Sequence, residues 1–140
     1  MREYIGTKMI KAEPQAKNGK EGYKVVYEDS YVSWSPKDIF EKFYKESCNL
    51  TFGIALELLK KGKKIARKGW NGKDMFVVYQ KGYPNGIPCN IQTANAWKLN
   101  EGDLFKCEPY LQIKMVNGSH AMWVPSINDV LSEDWEVVDD

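Results

Sequence analysis

The dipeptide Asn117-Gly118 lies between two short runs suited to extended backbone, Tyr110–Val116 and Ser119–Val124. Asn-Gly enters the positive-φ geometry of a two-residue hairpin turn with little strain, and the twist of that turn matches the strands it joins. Two neighbouring antiparallel strands are therefore expected here, and any fold of the chain has to accommodate them. The other expected strands are also short and joined by turns, and no β–α–β rhythm is visible, which argues against a doubly wound parallel sheet. The class expected is α+β: mostly antiparallel sheet with two main helices, and a small ββα extension at the N-terminus.

In chain order, residues 4–12 are expected to form a strand that ends near Pro14, followed by a polar loop to Gly22. Tyr23–Tyr27 and Tyr31–Trp34 read as strands by their β-branched and aromatic content, with Glu28-Asp29-Ser30 as the turn. Ser35-Pro36-Lys37-Asp38 predicts a helix start, with Ser35 as cap and Pro36 in the first helical position. That helix is expected to run to about Ser47 and to bury Ile39, Phe40, Phe43 and Tyr44. Such a unit is too small to be stable alone. Thr51 is expected to cap a second helix from Phe52 to about Lys61, stopped by Gly62, with Phe52, Ala55, Leu56 and Leu59 on one apolar stripe.

Lys63–Lys68 alternates as a short strand with Ile65 inward, Gly69–Gly72 makes a turn, and Met75–Tyr79 is a further strand. Residues 81–109 are the least regular, with a turn-rich Gly82–Pro88 and a helical turn around Thr93 and Ala94. A loop of that length is often functional. Ser126 opens a short helix, Ile127–Leu131, with Asp129 at capping-box spacing, and Trp135–Val138 is the last strand.

The chain has 140 residues and a net charge of +1, which argues against a dedicated duplex-DNA binder. Its three cysteines, Cys48, Cys89 and Cys107, lack paired spacing and read as reduced thiols rather than a disulfide framework. No apolar run approaches ~18 residues and the N-terminus lacks a signal-peptide core, so a soluble, intracellular protein is expected.

Charge is concentrated rather than abundant. Residues 60–73 hold seven cationic side chains and no acid, with Trp70 set between Gly69 and Asn71-Gly72. Lys60 and Lys61 have a structural explanation, because cations favour the negative end of a helix. Lys63 and Lys64 fit a solvated turn and strand. Arg67 to Lys73 is left as a candidate site: a π-face in Trp70, an amide in Asn71, and Arg67, Lys68 and Lys73 to meet phosphates. Trp123 and Ser126 offer a second wall and a hydroxyl. The competing reading is a solvated basic loop whose Trp packs into the core.

Catalytic chemistry is sparse. His120, the single histidine, falls on a hairpin strand where a solvent-facing role is the default. No His/Cys cluster has metal-ligand spacing, and the Gly/Lys order is not that of a phosphate-binding P-loop. Asp129 and Asp134 form a conceivable carboxylate pair, but capping already accounts for Asp129. A binding module fits better than an enzyme, and neither a cofactor nor a metal is expected.

Four blocks in order carry a resemblance: Leu50–Leu56, Ile65–Lys73, Gly82–Pro88, and Trp123–Ser126 continuing through Asp129–Trp135. Over about two-thirds of the chain these are similar to the Thoeris anti-defence protein 2 family of phage proteins. The division implied is residues 1–48 as an N-terminal extension and 49–140 as the ligand-binding domain. The resemblance implies a non-catalytic sponge in the cytoplasm of the infected host, holding cyclic nucleotide signals such as glycocyclic ADP-ribose or CBASS-type cyclic dinucleotides. It also implies a homotetramer with pockets at subunit interfaces, and no membrane or duplex nucleic acid as partner. Trp70 matches the family's ligand-binding Trp, Asn71 and Lys73 share its motif, Arg67 precedes it, and Phe52 occupies the matching aromatic position at the helix start. Trp123, Ser126 and Asp129 match the second block. Asn128 departs from a frequent Thr or Ser, and Cys89 and Ala121-Met122 are unusual, which bears on ligand choice more than on fold. The alternatives from the residues alone are a single-stranded nucleic-acid-binding module and a cyclic-nucleotide phosphodiesterase.

Overall fold

In the computed structural model, which describes residues 1–139, residues 1–10 carry no regular structure and the first strand, β1 (Lys11–Pro14), starts where the expected strand over 4–12 should be ending. Pairing explains the shift. β1 lies antiparallel to β2 (Gly22–Val26), from Lys11↔Val26 to Pro14↔Tyr23, and the chain beyond Val26 turns away. Residues before Lys11 thus have no ladder to join. β2 pairs on its other side with β3 (Val32–Pro36), completing a three-stranded sheet.

Because Ser35 and Pro36 belong to that strand, Ser35 does not cap the helix that follows. α1 (Lys37–Phe43) has Pro36 at its N-cap with no side-chain cap, and its backbone becomes extended at Tyr44 rather than continuing to Ser47. None of the four apolar residues expected inside is buried: Phe40 and Tyr44 are only half-buried. Phe40 stacks on Tyr23 at 4.1 Å and on Tyr44 at 5.0 Å, whereas Ile39 and Phe43 are 51% and 72% exposed. In two turns of helix only one i, i+4 pair can face the sheet, and Phe40 and Tyr44 occupy it.

The chain divides into two compact units, Met1–Glu46, just described, and Ser47–Asp140. In the second, α2 (Phe52–Lys60) is capped by Thr51, whose hydroxyl accepts from the Ile54 N–H. It buries Ala55, Leu58 and Leu59, so the stripe includes Leu58, while Phe52 and Leu56 flank it half-buried. β4 (Lys64–Arg67) and β5 (Phe76–Gln80) follow. Residues 81–109 are more ordered than expected: β6 (Tyr83–Pro88) and β7 (Leu104–Cys107) pair around α3 (Ile91–Trp97), which Asn90 caps. The turn-forming Pro84-Asn85-Gly86 sits in an irregularity of register between Tyr83 and Ile87, with Gly86 at φ +94°. Turn chemistry here marks a bulge inside a strand instead of a loop.

β8 (Tyr110–Lys114) and β9 (His120–Met122) form the hairpin expected at Asn117-Gly118, but through a three-residue loop, residues 116–118, in which Gly118 and not Asn117 takes positive φ and Met115 N–H donates to Ser119 O at 2.8 Å. α4 (Ile127–Leu131) and β10 (Trp135–Val138) close the chain. The main sheet runs β10-β4-β5-β8-β9 with every neighbouring pair antiparallel. The fold is α+β and mostly antiparallel sheet. Its core is Leu50, Ala55, Leu58, Leu59, Ile65, Val77, Ile113 and Trp135 between α2 and the sheet. Among the described residues no helix is long and apolar enough to cross a membrane.

Candidate functional site

Trp135, on the first residue of β10, is wholly buried, and three other aromatic rings gather on it. Trp70 meets it edge-on at 5.4 Å, Trp123 edge-on at 6.0 Å, and Phe52 tilted at 5.5 Å. Trp70 and Trp123 also touch each other edge-on at 6.1 Å. Edge-to-face contacts let the positive rim of one ring meet the negative face of the next. Three residues singled out in the sequence, Phe52, Trp70 and Trp123, are therefore neighbours, although 71 residues separate the first from the last. All three are half-buried, so each retains some ring surface outside the cluster.

Beneath the rings lies an ionic network. Arg67, at the end of β4, donates from Nη1 to Asp129 Oδ1 at 2.9 Å and from Nε to Asp134 Oδ1 at 2.9 Å. Asp129 Oδ1 also accepts the Trp70 indole N–H at 3.3 Å. Its other oxygen takes the Ser126 N–H at 2.9 Å, while Ser126 Oγ accepts the Asp129 N–H, so the expected capping box is formed. Asp134 Oδ2 accepts the Gly69 N–H at 2.8 Å. The Trp135 indole N–H donates to the Asp129 backbone carbonyl at 2.8 Å. Cross-strand register places these groups together, since Trp135 stands opposite Arg67 in the β10–β4 ladder.

Protonation follows from those contacts. Burial alone would raise the Asp129 pKa, but hydrogen bonds from Ser126, Arg67 and Trp70 outweigh it and hold the carboxyl below the usual range. The Arg67 hydrogen bond lowers Asp134 against a smaller opposing effect of burial, with the Gly69 N–H adding to the lowering. Arg67 is held further above its already high value, first by Asp134 and then by Asp129. Carboxylates locked in the ionised form by a fixed guanidinium are poor proton shuttles near neutral pH.

The arrangement sorts the candidate residues. Arg67, Asp129 and Ser126 spend their polar groups on one another and on Trp70. Gly69 gives its amide to Asp134, and a Cβ there would stand 2.9 Å from Asp134 Oδ2. Asn71 and Lys73 are exposed on the loop between β4 and β5, and Lys68 reaches Asn49 Oδ1 at 3.0 Å. His120 is exposed on β9. Trp135 was not marked as a site residue in the sequence, and Asp134 was considered only as half of a carboxylate pair with Asp129, whereas it holds Arg67 and Gly69. Their contacts with Arg67 and Trp70 span more than sixty residues, and no local spacing encodes them.

Residues 50–138 match the family model of the Thoeris anti-defense 2-like domain, termed Tad2-like, and this span contains the whole aromatic and ionic cluster. The chain belongs to the Tad2-like family. It is similar to Thoeris anti-defense 2 of Bacillus phage SP01, with 35% identity over 92 residues, covering 64% of this chain and 94% of that protein. The unit Met1–Glu46 lies outside the residues matched to the Tad2-like family.

Proposed function

We propose that this chain is a phage anti-defence protein that binds a cyclic nucleotide immune signal and sequesters it without cleaving it. The observation that carries this reading is the Tad2-like match over residues 50–138, within which Trp70 is held with part of its ring outside the core. Base–aromatic stacking on such a ring contributes ~1–3 kcal/mol. Lys73 and Asn71, exposed on the same loop, supply a cation and an amide, and the half-buried Trp123 meets the ring edge-on, with Phe52 behind it against Trp123. Arg67 serves this site from below, as a strut, and the phosphate contacts fall to Lys73 and Lys68. The ion-paired state of Asp129 and Asp134 makes these two carboxylates poor proton shuttles, which favours binding over hydrolysis.

A sponge has to outcompete the effector that reads the signal, which calls for nanomolar affinity, about −12 kcal/mol. One half-buried ring and a few surface cations fall short of that, so enclosure by a second copy belongs to the proposal. The outward apolar residues Met122, Val124, Ile127 and Leu131, each 70% exposed or more, support assembly of the chain, as a homotetramer, close to the site.

Calorimetry against glycocyclic ADP-ribose and a panel of cyclic dinucleotides tests the reading. Nanomolar binding, with the ligand recovered intact after denaturation, is expected for one or more of them. Trp70→Ala is expected to abolish that binding while circular dichroism shows a folded chain of lower melting temperature, because the indole is also part of the cluster. Recovery of a cleaved nucleotide would replace the sponge with a phosphodiesterase. Salt-dependent binding to oligonucleotides with no affinity for the cyclic panel would replace it with a single-stranded nucleic-acid module.

A further inference from the structure

We infer that Asp134 is a positioning residue for the Trp70 indole, acting through Arg67 and through the backbone of Gly69. The inference rests on the proposed ligand role of Trp70. Asp134 reaches Trp70 by two routes. Along the first, its Oδ1 fixes Arg67 Nε at 2.9 Å, Arg67 Nη1 fixes Asp129 Oδ1 at 2.9 Å, and that same oxygen receives the Trp70 indole N–H at 3.3 Å. Along the second, its Oδ2 takes the Gly69 N–H at 2.8 Å, one residue before Trp70, while its backbone carbonyl takes the Lys68 N–H at 3.1 Å. One route sets the rotation of the ring and the other sets the path of the chain that carries it.

The guanidinium is suited to this because its donors are rigidly coplanar, so a carboxylate fixed at Nε dictates where Nη1 points. Asp134 carries one side of that fork and Asp129 the other, with the Arg67 side chain 17% exposed and the two carboxylates 30% and 12% exposed. Substituting Asn for Asp134 would leave one oxygen where two accept, and would turn an amide donor toward the donors of Gly69 or Arg67. The clamp would open without loss of volume.

Charge makes the inference separable from a general electrostatic effect. One guanidinium between two carboxylates leaves the cluster net negative, so it repels an anionic ligand. If Asp134 acted only through its charge, Asp134→Asn would neutralise the cluster and tighten binding of glycocyclic ADP-ribose. Positioning demands the opposite: the dissociation constant rises by about tenfold or more.

The test combines that titration with the indole N–H resonances of 15N-labelled protein, the Trp70 signal being assigned by its loss in Trp70→Phe. In Asp134→Asn the Trp70 signal is expected to shift and to exchange faster with solvent. The Trp135 signal should stay, since its acceptor is the backbone carbonyl of Asp129. Arg67→Lys, which keeps the charge but cannot hold both carboxylates in one plane, is expected to move the same signal and guards against a poorly folded Asp134→Asn. An unmoved Trp70 signal in the variants that fold overturns the inference, as does unchanged or tighter binding alongside a shifted signal. If the wild-type protein binds none of the nucleotides, the proposed function fails by itself, while the resonance still reports whether the clamp exists.

Discussion

α2 buries Ala55, Leu58 and Leu59 against the sheet, whereas α4 buries Asp129 and leaves Ile127 and Leu131 70% and 74% exposed. Both helices begin with a hydroxyl cap, and α4 carries Ile127, Val130 and Leu131 at i, i+3 and i+4 as α2 carries Ala55, Leu58 and Leu59, so each has an apolar stripe. They are held by different forces. α2 is fastened by apolar area removed from water on the inner face of the sheet. α4 has five residues, too few to persist by propensity, and is fastened by its capping box, by Asp129 on Arg67 and by the Trp135 indole on its backbone. The fastening of α4 leaves its apolar stripe unused inside the chain, and the same polar contacts orient Trp70. Sequence pattern alone identifies a stripe without saying whether the chain itself is what covers it.

The largest effect expected from breaking this contrast is at α2. Leu59 is fully buried, and Leu59→Ala removes its contacts with the core and leaves a cavity, at a cost of about 3 kcal/mol. Urea denaturation should show the midpoint falling with little change in slope. A cost below about 1 kcal/mol would mean that the core collapses around the deletion and that α2 is not the apolar anchor described.

Acid should act on α4 in preference to α2. Asp129 and Asp134 both titrate below their ordinary range in the folded chain. A carboxylate with a depressed folded pKa adds stability that is fully present above its unfolded value, near ~4, and is lost as pH falls through the folded value. Arg67 is raised, so it stays charged through neutral and acid pH and its own titration would cost stability only in strong alkali, while in acid the pairs are lost from the carboxylate side. Thermal melts should therefore hold steady above about pH 5 and lose on the order of 1–2 kcal/mol below about pH 4. Asp134→Asn should remove part of that acid dependence while Leu59→Ala leaves it intact. An acid slope that is the same in all three proteins would place the responsible carboxylates elsewhere.

Legibility in the sequence divided along the same line. The capped α2, the Asn117-Gly118 hairpin, the inward Ile65 and the Ser126–Asp129 capping box were visible because each depends on residues within a few positions of one another. The α+β class followed from them. Failures came where tertiary pairing outvoted local preference. Ser35 looks like a cap but is held in a strand by β2, and Pro84-Asn85-Gly86 looks like a loop but bulges within β6. At the site, Trp70 was legible as an isolated aromatic in a glycine-flanked turn. Its contacts with Trp135 and Asp129 were not, because only the fold brings them within reach. Arg67 shows the limit most clearly, since it reads as a free cation next to a motif and proves to be shared between two distant aspartates.

The smallest effect on unfolding, and the sharpest test of the contrast, is expected at Leu131. Leu131→Ser on the outer face of α4 changes a side chain that is 74% exposed, so in a dilute, unassembled chain its unfolding free energy should stay within about 0.5 kcal/mol of the parent. The same substitution places a hydroxyl in the apolar face proposed to meet another copy, where it would be left without water or a partner. Sedimentation should then show smaller species for the variant than for the parent at equal concentration, and the melting temperature of the parent, but not of the variant, should rise with protein concentration. If Leu131→Ser destabilises the dilute chain about as much as Leu59→Ala does, the stripe of α4 is packed within the chain and the two helices are held alike. If stability and sedimentation are both unchanged, the stripe is neither core nor contact, and the enclosure of Trp70 has to come from another face.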